Sequence, residues 1–231
     1  MTNIIKIFKN DFKNYAEYRI LHMIVIVSIL FGLAMGFFSQ IEPLLFIYLS
    51  LFIIPVITHS IITFVDKEVN NEEISKTYST TEIIIGKLFA ALVLQLISLV
   101  VYLFIIYFVL NMHLSLILFL LAYILGLLVH IVIGISITII SKNDVKMTVF
   151  YCLYIVIFSL IPFIYLMNLL PETLGYLFIF SPAYLSSVLL ENIFFGYLFS
   201  DLLLVILAVV LQLIVFAGLI FFVIKPYYKN K

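Results

Sequence analysis

The residues of this chain that could do chemistry are few, and their spacing excludes most reactions. Gly86–Lys87 is the sole Gly-Lys pair. A phosphate-cradling loop would need a glycine five positions before Gly86 and a Ser or Thr after Lys87, and neither is present. The carboxylate pair Glu72–Glu73 could serve an intramembrane protease only if buried with a histidine. It lies instead in a polar stretch, and no His stands at a suitable intramembrane spacing. No Gly-x-Ser-x-Gly string exists for a serine nucleophile. Cys152 is the one cysteine, so it closes no intrachain disulfide, and its spacing to any His offers no metal site. It is expected to be a small buried apolar residue. No catalytic residue, metal site or resident cofactor is expected.

Four polar residues stand inside apolar runs: His59, Gln95, His130 and Gln212. Two readings stay open. They are interhelical hydrogen-bonding groups, worth roughly 0.6 kcal/mol each, or they are the sparse polar lining of a path. No Asp, Glu, Lys or Arg lies near the centre of these runs. A carrier coupled to protons or sodium usually places ionisable groups there, so that class is disfavoured.

The elements that hold these residues follow from hydropathy. The chain is 66% hydrophobic and 10% charged, where a soluble domain carries about 25% charged residues. Six apolar spans are expected, at about 20–38, 44–65, 83–110, 114–140, 147–170 and 202–224. About twenty helical residues cross roughly 30 Å of hydrocarbon. Pro55 is expected to kink span 2, and Pro226 to stop span 6. Residues 3–19 form an amphipathic interfacial helix. Ile4, Ile5, Phe8, Phe12, Tyr15 and Ala16 recur at helical spacing, with Lys6, Lys9, Lys13 and Asp11 opposite. Its lysines should meet anionic lipid headgroups. The charged segment before span 1 and the lack of a small-residue cleavage site speak against a cleavable signal peptide.

All twelve cations fall before span 1 or after spans 2, 4 and 6. Cationic loops resist translocation, so both termini and two loops are placed in the cytoplasm. Eight carboxylates accompany the cations. The other four, Glu42, Glu172, Glu191 and Asp201, stand outside with no cation. Tolerance of translocated carboxylates is the plain explanation of these residues; the sharper reading is that Glu172, Glu191 and Asp201 form a negative outer rim. No basic face offers itself to nucleic acid. Lysine supplies eleven of the twelve cations and Trp is absent. With abundant Ile, Phe, Tyr and Asn, this suggests an A+T-rich bacterial coding sequence and a bacterial cell membrane.

Residues 171–199 are apolar but broken by Pro171, Gly175, Pro182, Glu191 and Gly196. The pieces of about ten residues are too short to cross. A re-entrant outer hairpin packed against protein is expected, because broken backbone at membrane depth must be covered. Residues 66–82 are the longest inner connection, with Glu68, Glu72, Glu73, Lys76, Tyr78 and Glu82 among its polar and aromatic side chains. It is either a solvated loop or a short helix that docks on a cytoplasmic partner.

Glu82-Ile83-x-x-Gly86-Lys87, the acidic start Glu68, Glu72 and Glu73, and Ser181-Pro182-Ala183-Tyr184-Leu185 before the last span together resemble the ABC type-2 permease family. That family has E-x-E-x-G-T-L, a Pro-Ser turn and E-I-x-x-G-K in the inner loop, and Asn-Pro-Leu-Thr-Tyr in the outer hairpin. Here EISKTYSTT replaces the Gly-Thr-Leu core and the Pro. The resemblance extends over essentially the whole chain, as one transmembrane permease domain, 1–231. It implies the non-catalytic membrane subunit of an ATP-driven exporter. The partners it implies are a separate ABC ATPase, which binds ATP, and a second permease copy or sister subunit. A largely apolar path would suit a hydrophobic drug, a lipid-like molecule, or an amphipathic peptide or toxin. Antimicrobial peptide resistance is one expected role. A non-transporting scaffold or sensor subunit of a membrane complex is the alternative.

Overall fold

A computed structural model describes residues 2–39, 77–104, 108, 116–141, 143–166, 169–182 and 202–229. Span 2 with Pro55 and His59, the inner loop up to Lys76, the hairpin beyond residue 182, and Asp201 lie outside the described residues. The regular elements among the described residues are all helical. In chain order they are α1 (Thr2–Glu17), α2 (Ile20–Ser39), α3 (Thr80–Phe104), α4 (Leu116–Ile140) and α5 (Asp144–Ile155). A π-helical turn, Val156–Leu160, joins α5 to α6 (Ile161–Leu166). A 3₁₀ turn, Glu172–Leu174, leads into α7 (Gly175–Phe178). Helix α8 (Leu202–Leu219) passes through a second π-turn, Ile220–Ile224, into α9 (Lys225–Lys229).

Two stretches, Thr80–Val101 and Ile206–Lys229, are 22 and 24 residues long and apolar enough to cross a membrane. Shorter apolar helices, Ile20–Leu30, Leu127–Ile140 and Val145–Phe158, fall within the expected spans 1, 4 and 5. Outward faces are apolar: α5 exposes Val149, Leu153 and Ile157 follows them, while α8 exposes Ile206, Val210, Leu213 and Ile214. Such faces would aggregate in water and suit lipid. Cys152 is exposed on this kind of face, not buried as composition led us to expect. A hydrocarbon solvent removes the driving force that buries a small apolar thiol in a soluble core.

Helix α3 is the centre of the packing. Helices α1, α2, α4 and α9 all lie against it, and α8 packs on α4. The shared core includes Ile7, Tyr15, Ile20, Ile24, Ile83, Ala90, Ala91, Leu94, Leu127, Ile131, Ile224 and Tyr228. The chain turns between α1 and α2 at Arg19, which takes φ 58°. A left-handed residue ends one helix and lets the next start in a new direction. Helix α5 starts on an Asn143 cap, whose Oδ1 accepts from the Lys146 N–H at 2.8 Å. Pro226 does not end the last helix; it is the second residue of α9. The preceding π-turn, in which the Lys225 N–H reaches back to the Ile220 carbonyl, carries the chain into a new helix. Proline is tolerated in the first turn of a helix, where its missing N–H costs nothing.

Candidate functional site

The Glu82-Ile83-x-x-Gly86-Lys87 string opens α3, and each of its four residues has a packing or bonding task. Ser79 and Glu82 form a reciprocal cap. The Glu82 Oε2 accepts from the Ser79 N–H at 3.1 Å and from its hydroxyl at 2.9 Å, and the Glu82 N–H approaches Ser79 Oγ at 3.4 Å. The other carboxylate oxygen, Oε1, accepts from Asn3 Nδ2 of α1 at 3.0 Å. Ile83 is buried in the core. A Cβ at Gly86 would stand 2.7 Å from Cγ2 and 2.9 Å from Cβ of Ile7. Glycine is therefore what lets α1 lie this close. Lys87 faces Asp11 at 3.6 Å.

On α1 the partners are Asn3, Ile7 and Asp11, one i, i+4 row that Tyr15 continues into the core. Phe8 reaches Phe89 of α3 with ring centroids 5.1 Å apart. The row corrects one expectation. Asp11 does not share the solvated face with Lys6, Lys9 and Lys13; it is 2% exposed. Burial is tolerable because a cation on α3 stands opposite it. The four-residue spacing of Asn3, Ile7, Asp11 and Tyr15 marks a row on α1, but not that a cation of α3 would stand against it.

The polar residues within the spans have three different settings. His130 accepts from or donates to the Tyr154 hydroxyl through Nδ1 at 2.7 Å, with the rings edge to face. Gln212 donates from Nε2 to the Phe180 carbonyl at 3.2 Å and lies 3.5 Å from that of Ile179. Gln95 is fully buried, and neither Oε1 nor Nε2 has a hydrogen-bond partner among the described residues. No hydrogen bond links any two of the three among the described residues. Hydroxyls on α4 and just past its end turn back on the helix: Ser136 to Val132, Thr138 to Gly134 and Ser141 to Ile137. Tyr151 of α5 also donates to the Gly134 carbonyl, at 3.0 Å, and so ties α5 to α4.

The described segment 171–182 is anchored on both neighbouring helices. Pro162 has no N–H, so the carbonyl four residues earlier, Phe158, loses its usual helical donor. The Ser181 hydroxyl donates to that carbonyl at 2.5 Å. Gln212 of α8 holds the turn just before it. Gly175 sits against the Tyr165 hydroxyl, where a Cβ would come within 2.5 Å, and Tyr165 packs on Phe178 at 4.9 Å. Ser181 thus lies where the π-turn before α6, the segment 171–182 and α8 meet. Sequence reading singled out Ser181–Pro182 and Gln212 separately but not their common partner. Pro162, four residues after Phe158, was the missed signal.

Of the inner-loop residues, Tyr78 is half-buried against the core, and Glu82 is engaged as described. Glu68, Glu72, Glu73, Lys76, His59, Glu191 and Asp201 lie outside the described residues, as does the Glu172 side chain.

The described residues are helical, with apolar outer faces and an amphipathic leading helix clamped onto an apolar one, an arrangement that fits an all-α membrane protein. The chain belongs to the ABC-2 type transporter family, which it matches over residues 2–195. It is accordingly a membrane-embedded permease component of an ABC transporter, and in this family the ATPase is a separate, catalytic subunit. No curated protein matches the sequence.

Proposed function

We propose that this chain is the six-span permease subunit of an ABC exporter in a bacterial cell membrane, with both termini cytoplasmic. A separate ATPase docks on residues 66–82, and a second permease copy or a sister subunit completes the path. Closure of the ATPase pair moves the inner loop, and the motion passes to α3. The observation that supports this most is the clamp of α1 on the opening of α3. Asn3–Glu82, Ile7–Gly86 and Asp11–Lys87 join the two helices at three successive points, beginning at the last residue of the docking segment. A push on that segment would therefore move α1 and α3 together.

The substrate is hydrophobic or amphipathic: a peptide, toxin, drug or lipid-like molecule. The charge-poor spans favour it over a sugar. Glu172, Glu191 and Asp201 supply a weakly attractive outer rim for a cationic peptide; at physiological salt such exposed charges act over only about 8 Å. ATP is bound by the partner, and lipid surrounds the outer faces.

Co-purification is the test. The tagged chain, expressed with its genetically neighbouring ATPase, should bring that ATPase down. The double variant Glu72→Lys/Glu73→Lys should weaken the association while the chain still inserts. Tyr78→Ala is a poorer probe, because Tyr78 also packs on the core. A wild-type chain that inserts and folds but never retains an ATPase would favour the scaffold or sensor reading instead.

A further inference from the structure

We propose that the π-turn Val156–Leu160 is a hinge, and that α6 with the segment 171–182 is a lid that swings about it, latched by Ser181 and Gln212. That the lid covers the outer end of a path rests on the reading above; the hinge itself does not. Before the turn, α5 is fixed to α4. Tyr151 donates to the Gly134 carbonyl at 3.0 Å and stands 3.3 Å from the Thr138 hydroxyl, and Tyr154 bonds His130 at 2.7 Å. Polar ties between helices act as glue in a membrane. Helix α8 packs on α4 as well. These three helices make up the fixed body.

Past the turn the anchoring is lighter. Among the described residues, α6 packs chiefly on the π-turn and α7 on the 3₁₀ turn before it. Leu169, Leu177 and Phe180 are exposed. A unit with few buried contacts opens at low cost. Tyr165 on Phe178, and Gly175 against Tyr165, join α6 and α7 into one body. The turn between the two bodies is where the α-helical ladder fails. The Ile161 N–H reaches back five residues to the Val156 carbonyl, and Pro162 has no N–H to give. Helices bend at such breaks. Phe158 lies at the pivot. Its ring stays with the fixed body, 5.4 Å from that of Tyr154, while its carbonyl takes the Ser181 hydroxyl of the lid. That bond therefore sets the hinge angle. Gln212 holds the lid from α8, with the Phe180 carbonyl at 3.2 Å and that of Ile179 at 3.5 Å. Two adjacent acceptors let it keep its grip through a small displacement.

The test is double electron–electron resonance on the purified full-length chain in lipid nanodiscs, in a Cys152→Ser background. Spin labels at Leu153→Cys and Leu177→Cys span the hinge. Labels at Ile140→Cys and Leu153→Cys stay within the fixed body as a control. The parent should show a major and a minor distance across the hinge and one distance in the control. Ser181→Ala and Gln212→Leu should each raise the minor-to-major ratio about five-fold, the equivalent of one hydrogen bond. Ser181→Thr, which retains a hydroxyl, should stay close to the parent. Pro162→Ala lets an α-helix run through the turn and should leave a single distance. If Ser181→Ala does not fold, Gln212→Leu and Gln212→Ala carry the same expectation. A single cross-hinge distance that neither latch variant changes would overturn the hinge. So would equal broadening of the control pair, which would mean that the whole bundle had loosened. Failure of the permease reading shows separately, as absence of the ATPase from wild-type preparations whatever the labels report.

Discussion

Asp11 and Lys87 face each other at 3.6 Å with both side chains 3% exposed. The pair sits where α1 lies on the first turns of α3, next to the Gly86–Ile7 contact. A buried pair of this kind contributes little relative to two well-packed apolar residues, but breaking it leaves one charge stranded. Asp11→Leu or Lys87→Met alone should each cost about 3–5 kcal/mol. The double variant should cost much less than the two together. Thermal unfolding of the detergent-purified chain measures this, and additive losses would show that the two charges are not coupled.

Gly86→Ala should destabilise the clamp by about 1–3 kcal/mol, because the new methyl must displace Ile7 or shift α1. The added cost should fall in an Ile7→Ala background. Protease accessibility of the α1 segment, with and without the second substitution, would read the release of α1. Equal accessibility of the wild type and Gly86→Ala would contradict the close approach.

Ser181→Ala leaves the Phe158 carbonyl without its hydroxyl donor, and should cost about 1–3 kcal/mol. Pro162→Ala restores a backbone N–H that can serve the same carbonyl. Ser181→Ala should therefore be milder in the Pro162→Ala background. A cost independent of residue 162 would mean that the serine acts through some other contact.

The two central glutamines should respond oppositely to Leu. Gln95 is buried without a partner among the described residues, so Gln95→Leu should be neutral or stabilising in thermal unfolding, by about 1 kcal/mol. Gln212→Leu removes a donor from the turn before Ser181 and should destabilise by about 1 kcal/mol. Destabilisation by Gln95→Leu would point to an amide partner in the working protein, and a drug-efflux assay of the same variant would place it in the path.

Topology is open to labelling in a Cys152→Ser background. Asn70→Cys and Lys229→Cys should react with an impermeant maleimide only from the cytoplasmic face, Glu42→Cys and Glu191→Cys only from outside. Lys229→Cys labelled from outside would replace six spans with seven.

The amphipathic helix, the helical character of the apolar runs and the family were legible in the sequence. Hydrophobic periodicity, span length and cation placement are local properties, each readable within a window of twenty or so residues. The string Glu82-Ile83-x-x-Gly86-Lys87 could likewise be recognised as a family signature. What it does could not be read. Only the packing of α1 on α3 shows that its glutamate caps and clamps, its glycine makes room, and its lysine neutralises Asp11. Asp11 was placed on the wrong face for the same reason. A helix's own periodicity favours putting a carboxylate in water, and only a cation brought from some eighty residues away reverses that preference. Pro162, Ser181 and Gln212 are a parallel case. Each is visible alone, but the demand one places on the others arises when a carbonyl loses its helical donor and the nearest hydroxyl comes from a different part of the chain.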